Sequence, residues 1–238
     1  MEPYLFYGVI LPERAQISHK FELGFSHYSS GEVGDAKVSI VLNQLTVTVY
    51  TKTKWDIFDL RNVVKHIIQT RLAMIGYLKG YAYEFEVTRV LNPSLDIDYV
   101  FGIDVPCIAN PRELINLETE LNILQTKTIG ENGIFINRCL NDLVSSMKYA
   151  DDTSFYCYRA IESIRLHCAA VHGLKEKEKS IQWNKFKEIS ELSDDSIREI
   201  EATAREVRHG DIVGITGEER AEILKKTWGI VSAYLKHI

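Results

Sequence analysis

The chain has 238 residues, of which 45% are hydrophobic and 26% charged, and its formal net charge is −5. This composition supports one large folded domain or two smaller ones and argues against extensive disorder. An acidic chain without a strongly basic half is unlike a high-affinity, nonspecific nucleic-acid binder, so any contact with nucleic acid has to be local.

The number of cysteines and the hydropathy of the chain indicate in which cellular compartment the protein is expected. The four cysteines form no C-x-x-C pair and are too sparse for a disulfide framework, which favours reduced thiols in the core. The first residues show no basic segment followed by an apolar run, and no apolar stretch approaches the roughly 20 residues of a membrane helix. We therefore predict a cytoplasmic protein without a membrane partner.

Residues 1–108 are predicted to form an α+β domain. Apolar and polar residues alternate in this part of the chain, as they do in half-buried strands. The alternation is clearest in a hairpin joined at Asn43-Gln44 and in the segment 81–91. Further strands are predicted at 4–11, 20–25 and 97–105.

One long helix is predicted between these strands. Apolar residues recur at steps of three and four from Leu60 to Leu78, which is the pattern of an amphipathic helix of about five turns. Asp56 or Asp59 is the expected N-cap. A helix laid over an antiparallel sheet buries the apolar faces of both, so the expected arrangement is α+β.

Residues 109–238 change to a helical period and are predicted to form an all-α, up-and-down bundle. The first helix is expected to begin with Asn110 as N-cap and Pro111 in the first turn. Its expected buried face is formed by leucines at helical spacing: Leu114, Leu117, Leu121 and Leu124.

The later helices have recognisable ends. The GENG segment at 130–133 separates the first two, and a third is expected to stop near Gly173. A short helix follows the lysine-rich loop, and another is predicted to start after Ser193. The last begins with a capping box formed by Thr216 and Glu219.

Arg205 and His209 form the polar pattern most suggestive of function. Side chains four residues apart share a helix face. An imidazole can transfer a proton near neutral pH, and a guanidinium can stabilise an anionic phosphorane. The same residues also fit an ordinary helix end, where cations meet the negative end of the helix dipole, or a solvated face shared with Arg198 and Glu201. Both interpretations stay open at this level.

The surrounding helices resemble a known family. A helix reading FYCYRAIESIRLHC, a loop, and a helix that ends in Arg205 and His209-Gly before a terminal helix resemble a HEPN domain of the Apea-like branch. Many HEPN proteins are metal-independent endoribonucleases that dimerise, so that two R-x(4–6)-H motifs meet across the helices. The resemblance covers about residues 133–238. It implies that Arg205 and His209 are the motif, with three residues between them here, and that Glu162 is the supporting acid. The usual motif does not require Arg208, which we expect to help to orient the pair because it adjoins His209.

Other chemistries have less support. Cys168 and His172 could hold zinc from one helix face, but no second pair at comparable spacing completes a closed site. We predict Cys168 as a core residue and expect no cofactor and no metal. The aromatic residues of the strands, such as Tyr4 and Tyr83, would stack on bases if exposed, but their alternation with carboxylates favours a position in the core.

The resemblance implies an RNA-binding protein or metal-independent endoribonuclease of bacterial or phage defence that acts as a homodimer. Arg205, His209, Glu162 and Arg208 are its predicted catalytic residues. The alternative is a non-catalytic module whose bundle dimerises or binds a protein partner.

Overall fold

The structure is a computed structural model that describes residues 3–26, 31–209 and 215–238. The chain divides into two compact units, Met1–Ile103 and Asp104–Ile238. Among the described residues, the first is built from strands and one long helix and the second from helices, so the protein is α+β.

The N-terminal unit is a six-stranded antiparallel sheet in the order β2-β3-β4-β1-β5-β6. A helix, α1, is inserted between the fourth and fifth strands, and a short 3₁₀ turn at Pro93–Leu95 separates the last two. The elements are β1 (Tyr4–Leu11), β2 (His19–Ser26), β3 (Val33–Val41), β4 (Gln44–Thr51), α1 (Ile57–Lys79), β5 (Glu84–Asn92) and β6 (Ile97–Val100).

The sheet and α1 share one hydrophobic core, as the alternation predicted. One face of the central strands is buried, and α1 packs its apolar stripe into the same cluster. Asp56 is the N-cap of α1, and its carboxylate accepts the amide hydrogens of Phe58 at 2.8 Å and Asp59 at 3.1 Å. Tyr4 is fully buried, and only 6% of Tyr83 is exposed, which confirms that these rings fill the core and are not open to stacking by bases.

Two details of the sheet differ from the sequence prediction. The tight turn between β3 and β4 is Leu42-Asn43, both with positive φ (48° and 67°), and Gln44 is already in β4. Such a pair of left-handed residues is the hairpin geometry that matches strand twist. Strand β6 is also shorter than predicted and ends at Val100, before the buried ring of Phe101.

In the described residues of the C-terminal unit, the regular elements are all helices. They are α2 (Pro106–Ala109), α3 (Leu117–Thr128), α4 (Gly133–Lys148), α5 (Thr153–Val171), α6 (Lys179–Ser190), α7 (Asp194–Arg208) and α8 (Gly217–Lys236), with a 3₁₀ turn at Asn110–Arg112. Helix α5 is central and contacts α4, α6, α7 and α8. Of its 19 residues, 12 are buried, and such burial around most of a helix requires neighbours on several sides.

The start of the helical unit differs from the prediction. Helix α3 begins at Leu117 with Asn116 as N-cap, because the Asn116 side chain accepts the amide hydrogen of Thr119 at 3.1 Å. The predicted cap, Asn110, lies instead in the 3₁₀ turn. The prediction of a buried leucine face is wrong, since α3 has no buried residue and its leucines are exposed or half-buried.

The later helix ends agree with the prediction. Helix α5 ends at Val171, two residues before Gly173 with its φ of 66°. Ser193 precedes α7, and the Thr216–Glu219 capping box opens α8. Within the described residues, none of the helices combines the length and apolar character needed to cross a membrane.

Candidate functional site

Helix α7 carries the predicted motif at its C-terminal end. Ile197, Ile200 and Ala204 on its inner side are at most 5% exposed and belong to the core that includes α5. Arg205 and Arg208 lie in the last turn and are exposed, and His209 is the exposed C-cap residue. The last turn of α7 therefore has an exposed side that carries two arginines and one glutamate, Glu206.

The local geometry at His209 is that of a helix end. The amide of His209 donates to the carbonyl oxygens of Arg205 at 3.2 Å and Glu206 at 3.0 Å. Among residues 3–26, 31–209 and 215–238, no side chain makes a hydrogen bond or ion pair with the side chains of Arg205, Arg208 or His209. The predicted Gly-Asp turn after His209 falls at 210–211, outside the described residues. Exposed guanidinium and imidazole groups at a helix end are side chains of the kind that binds anions.

Glu162, the predicted supporting acid, is already engaged. Its carboxylate forms an ion pair with Lys179 at 2.6 Å and accepts a hydrogen bond from the Tyr158 hydroxyl at 3.1 Å. Burial of the carboxyl opposes ionisation, but the hydrogen bond and charge of Lys179 outweigh it, so the pKa of Glu162 is lowered. Glu162 is therefore a fixed anion, which suits the orientation of neighbours better than proton donation.

Tyr158 connects Glu162 to α7. Its phenol bonds Glu162 on its own helix and also interacts with the carboxylate of Glu201 on α7. Burial, followed by these two carboxylates, raises the pKa of Tyr158, so the phenol remains a neutral donor. Glu201 precedes Arg205 by four residues, about one helical turn. The polar contact between α5 and α7 thus lies one turn from the motif.

A buried arginine, Arg165, adjoins this contact and was missed in the sequence. It is 5% exposed, its guanidinium donates to the Gln182 side chain, and it lies 5.3 Å from the ring centre of Trp183. Burial lowers its pKa, and its Nε has no hydrogen-bond partner in the described part of the chain. Gln182 in turn donates to the carbonyl oxygens of Leu174, Lys175 and Lys177. Arg165 therefore helps to hold the loop between α5 and α6.

Two further arginines stabilise the bundle. Arg159 forms an ion pair with Asp142, which is only 2% exposed, and lies over the rings of Phe155 and Tyr156. Arg220 donates to the Thr153 hydroxyl at 2.8 Å and to the Met147 carbonyl at 2.7 Å. An arginine at the C-terminal carbonyls of α4 is favourable for the helix dipole. In the sequence these residues look like surface charges, because their partners are distant along the chain.

The structure also places Cys168 and His172, the pair considered as zinc ligands in the sequence. Cys168 is fully buried in the core of the helical unit, as predicted, and burial raises its pKa. His172 is exposed beyond the end of α5. In the part of the chain that the structure describes, no three His, Cys, Asp or Glu side chains lie close enough to hold a metal ion.

Comparisons with known proteins identify a family for both units. Residues 4–101 match the family model described as the N-terminal domain of DUF8168, a domain of unknown function, and residues 121–238 match the model of its C-terminal domain. Searches of curated proteins and of solved structures found no match. The two family matches follow the two compact units in order and span nearly all of the chain, which therefore belongs to the DUF8168 family.

Proposed function

We propose that the helical unit binds RNA at the C-terminal end of α7 and cleaves it without a metal ion. The observation that carries this proposal is the exposure of Arg205, Arg208 and His209 together in one turn and its cap. Arginine binds phosphate through charge-assisted hydrogen bonds, and histidine is the side chain best suited to move protons near neutral pH.

In the proposed reaction, the RNA itself supplies the nucleophile. The imidazole of His209 takes the proton of a 2′-hydroxyl as that oxygen attacks the adjacent phosphorus. The bond from phosphorus to the 5′-oxygen breaks, the leaving oxygen takes a proton from water, and the hydroxide that remains takes the proton from His209, which returns to its neutral form. The products are a 2′,3′-cyclic phosphate and a 5′-hydroxyl. Arg205 stabilises the charge that develops on the phosphorane.

Arg208 and Glu162 have positioning roles in this proposal. Arg208 adds a second cation next to His209 and helps to orient the phosphate. Glu162 acts at a distance, through the hydrogen bond from Tyr158 and the interaction of Tyr158 with Glu201. Because Lys179 keeps Glu162 ionised, no proton transfer is assigned to this carboxylate.

The test is cleavage of mixed single-stranded RNA in EDTA by the full chain. We expect the wild type to release 2′,3′-cyclic phosphate ends and His209→Ala to lose about 10²–10⁴-fold in rate, the usual contribution of a general acid or base. His172→Ala is the matched control, since His172 is an exposed histidine elsewhere in the helical unit. Both substitutions replace exposed side chains, so the unfolding temperature should change by only a few degrees.

Two results would remove the proposal. One is an unchanged rate in His209→Ala, and the other is activity that EDTA abolishes. An inactive wild type that binds no RNA would favour the second candidate function, a non-catalytic interaction module. The observation that supports that candidate is the row of exposed apolar side chains on α3.

A further inference from the structure

Helix α3 presents an apolar seam that the described residues of its own unit leave largely exposed. Leu117 is 62% exposed and Leu121 is 55% exposed, and Leu124 is half-buried. Leu114 lies three residues before Leu117 and is 97% exposed. Within α3, steps of four and three residues place Leu117, Leu121 and Leu124 at a and d positions of a heptad, which is the spacing of a helix that packs against another helix. Leu114 precedes the helix and adds to the apolar surface beside its N-terminal end.

More apolar side chains flank this seam. Ile115, Ile123 and Ile129 are 47%, 44% and 69% exposed. Single exposed apolar residues are normal on a protein surface, but a concentration of six in the segment 114–129 is typical of an interaction site. This segment is therefore a candidate interface.

The charges of α3 indicate which partner fits. Glu118 and Glu120 lie in the first turn of the helix and Lys127 in the last turn. If two copies of α3 pack antiparallel, the acidic end of each lies beside the basic end of the other, and Leu121 of one copy faces Leu124 of the other. A parallel arrangement would instead bring like charges together.

We propose that α3 is a homodimer contact, formed by antiparallel pairing of two copies about a twofold axis near the middle of the helix. Such an isologous contact needs a self-complementary surface, and the combination of a leucine seam with opposite charges at its ends supplies one. Lys127 donates one hydrogen bond to the carbonyl oxygen of Ile238, and its ammonium has two further hydrogens for a partner's carboxylate. The contact goes beyond RNA cleavage and does not depend on it.

The size of the contact sets its expected strength. A helix of 12 residues is about 18 Å long at 1.5 Å per residue. Stable dimers usually bury about 800 Å² on each partner, so a contact made by α3 and its flanks falls at the small end of the range. We therefore expect association that depends on concentration, with a dissociation constant on the order of micromolar.

Sedimentation velocity on the full chain without RNA tests the proposal. We expect the wild type to shift from monomer to dimer between roughly 1 and 300 μM, and Leu121→Glu to stay monomeric over this range. Leu78→Glu is the matched control, because Leu78 is 78% exposed on α1 and should not affect the dimer. Glutamate is a good helix former, so the variant should keep its circular dichroism spectrum.

Charge reversal tests the antiparallel arrangement. Glu120→Lys and Lys127→Glu should each weaken the dimer about tenfold, because each places like charges together twice in a symmetric contact. The double variant should recover most of the wild-type affinity. A wild type that remains monomeric at the highest concentration would overturn the proposal, as would a dimer unchanged by Leu121→Glu or a double variant that does not recover. None of these outcomes involves RNA, so the dimer and the nuclease can fail separately.

Discussion

Asn43 offers the sharpest test of how the N-terminal sheet is held together. It is 3% exposed and sits in the tight turn with a positive φ of 67°. Its amide nitrogen donates to the carbonyl oxygen of Ile10 at 3.1 Å, and its amide oxygen accepts the N–H of Ile17 at 2.7 Å. A single side chain thus ties the β3–β4 turn to the connection between β1 and β2.

The expected cost of Asn43→Ala can be worked from these contacts. The side chain also donates longer hydrogen bonds to the carbonyl oxygens of Pro12 at 3.3 Å and Ala15 at 3.5 Å. The two shortest bonds, with net contributions of about 0.5–1.5 kcal/mol each, give about 1–3 kcal/mol. Alanine tolerates the left-handed conformation less well than asparagine, which adds about 1 kcal/mol. The sum is about 2–4 kcal/mol. Asn43→Gly loses the same hydrogen bonds, but glycine adopts the left-handed conformation readily. Its cost should therefore be about 1 kcal/mol less than that of Asn43→Ala.

Scanning calorimetry and amide hydrogen exchange of the full chain measure this effect. Exchange at Ile17 should accelerate in both Asn43 variants. Leu42→Asn is the matched control within the same turn, because Leu42 is 61% exposed with a φ of 48°, and asparagine should raise stability there by about 0.5–1 kcal/mol. A cost below about 0.5 kcal/mol for Asn43→Ala would refute the assigned role of the buried amide.

Two further predictions concern the helical unit. The pKa of Glu162 is lowered in the folded protein, so its stabilising contribution is complete above the unfolded pKa of about 4.3 and is lost as the pH falls through the folded pKa. The free energy of unfolding, measured with urea at decreasing pH, should therefore fall less steeply for Glu162→Gln than for the wild type or the exposed control Glu218→Gln. Identical pH dependence in all three proteins would contradict this. Arg159→Met should lower the free energy of unfolding by about 3–5 kcal/mol, because it leaves the Asp142 carboxylate buried without its partner. Asp142→Asn should cost less, because the side chain of Arg159 is 37% exposed and can be hydrated. Equal losses in urea unfolding would argue against this asymmetry.

Elements whose sequence pattern is local were predictable. Val38 and Ile40 alternate with polar neighbours because one face of the sheet is buried and the other is wet, and that period is visible without a structure. Asp56 and Thr216 are caps because their side chains satisfy amide hydrogens only two or three residues away. The positions of Arg205 and His209 at the end of one helix followed from the same local rules.

Features that depend on distant partners were not predictable. Leucine has a low preference for positive φ, yet Leu42 adopts it because buried Asn43 fixes the turn through Ile10 and Ile17. Arg165 is buried although arginine is usually exposed, because Gln182 accepts its hydrogen bond from 17 residues away. The heptad spacing of Leu117 and Leu121 predicts an apolar face but carries no information on whether this chain or another molecule covers it.

The difference between local patterns and distant partners also affects the chemistry proposed at the end of α7. The sequence places Glu162 on a helix but cannot reveal that Lys179, at the start of the next helix, forms an ion pair with it and keeps it ionised. Once that ion pair is known, the supporting carboxylate is excluded as a proton donor, and in the proposed reaction the proton transfer falls to His209. The neutral hydroxyl of Tyr158 donates its hydrogen bond to Glu162 on α5, and the charge of Glu201 on α7 acts on the same phenol. Ile197, Ile200 and Ala204 pack the inner side of helix α7 into the core that includes α5, so the last turn with Arg205 and Arg208 projects from a supported helix rather than from a loop.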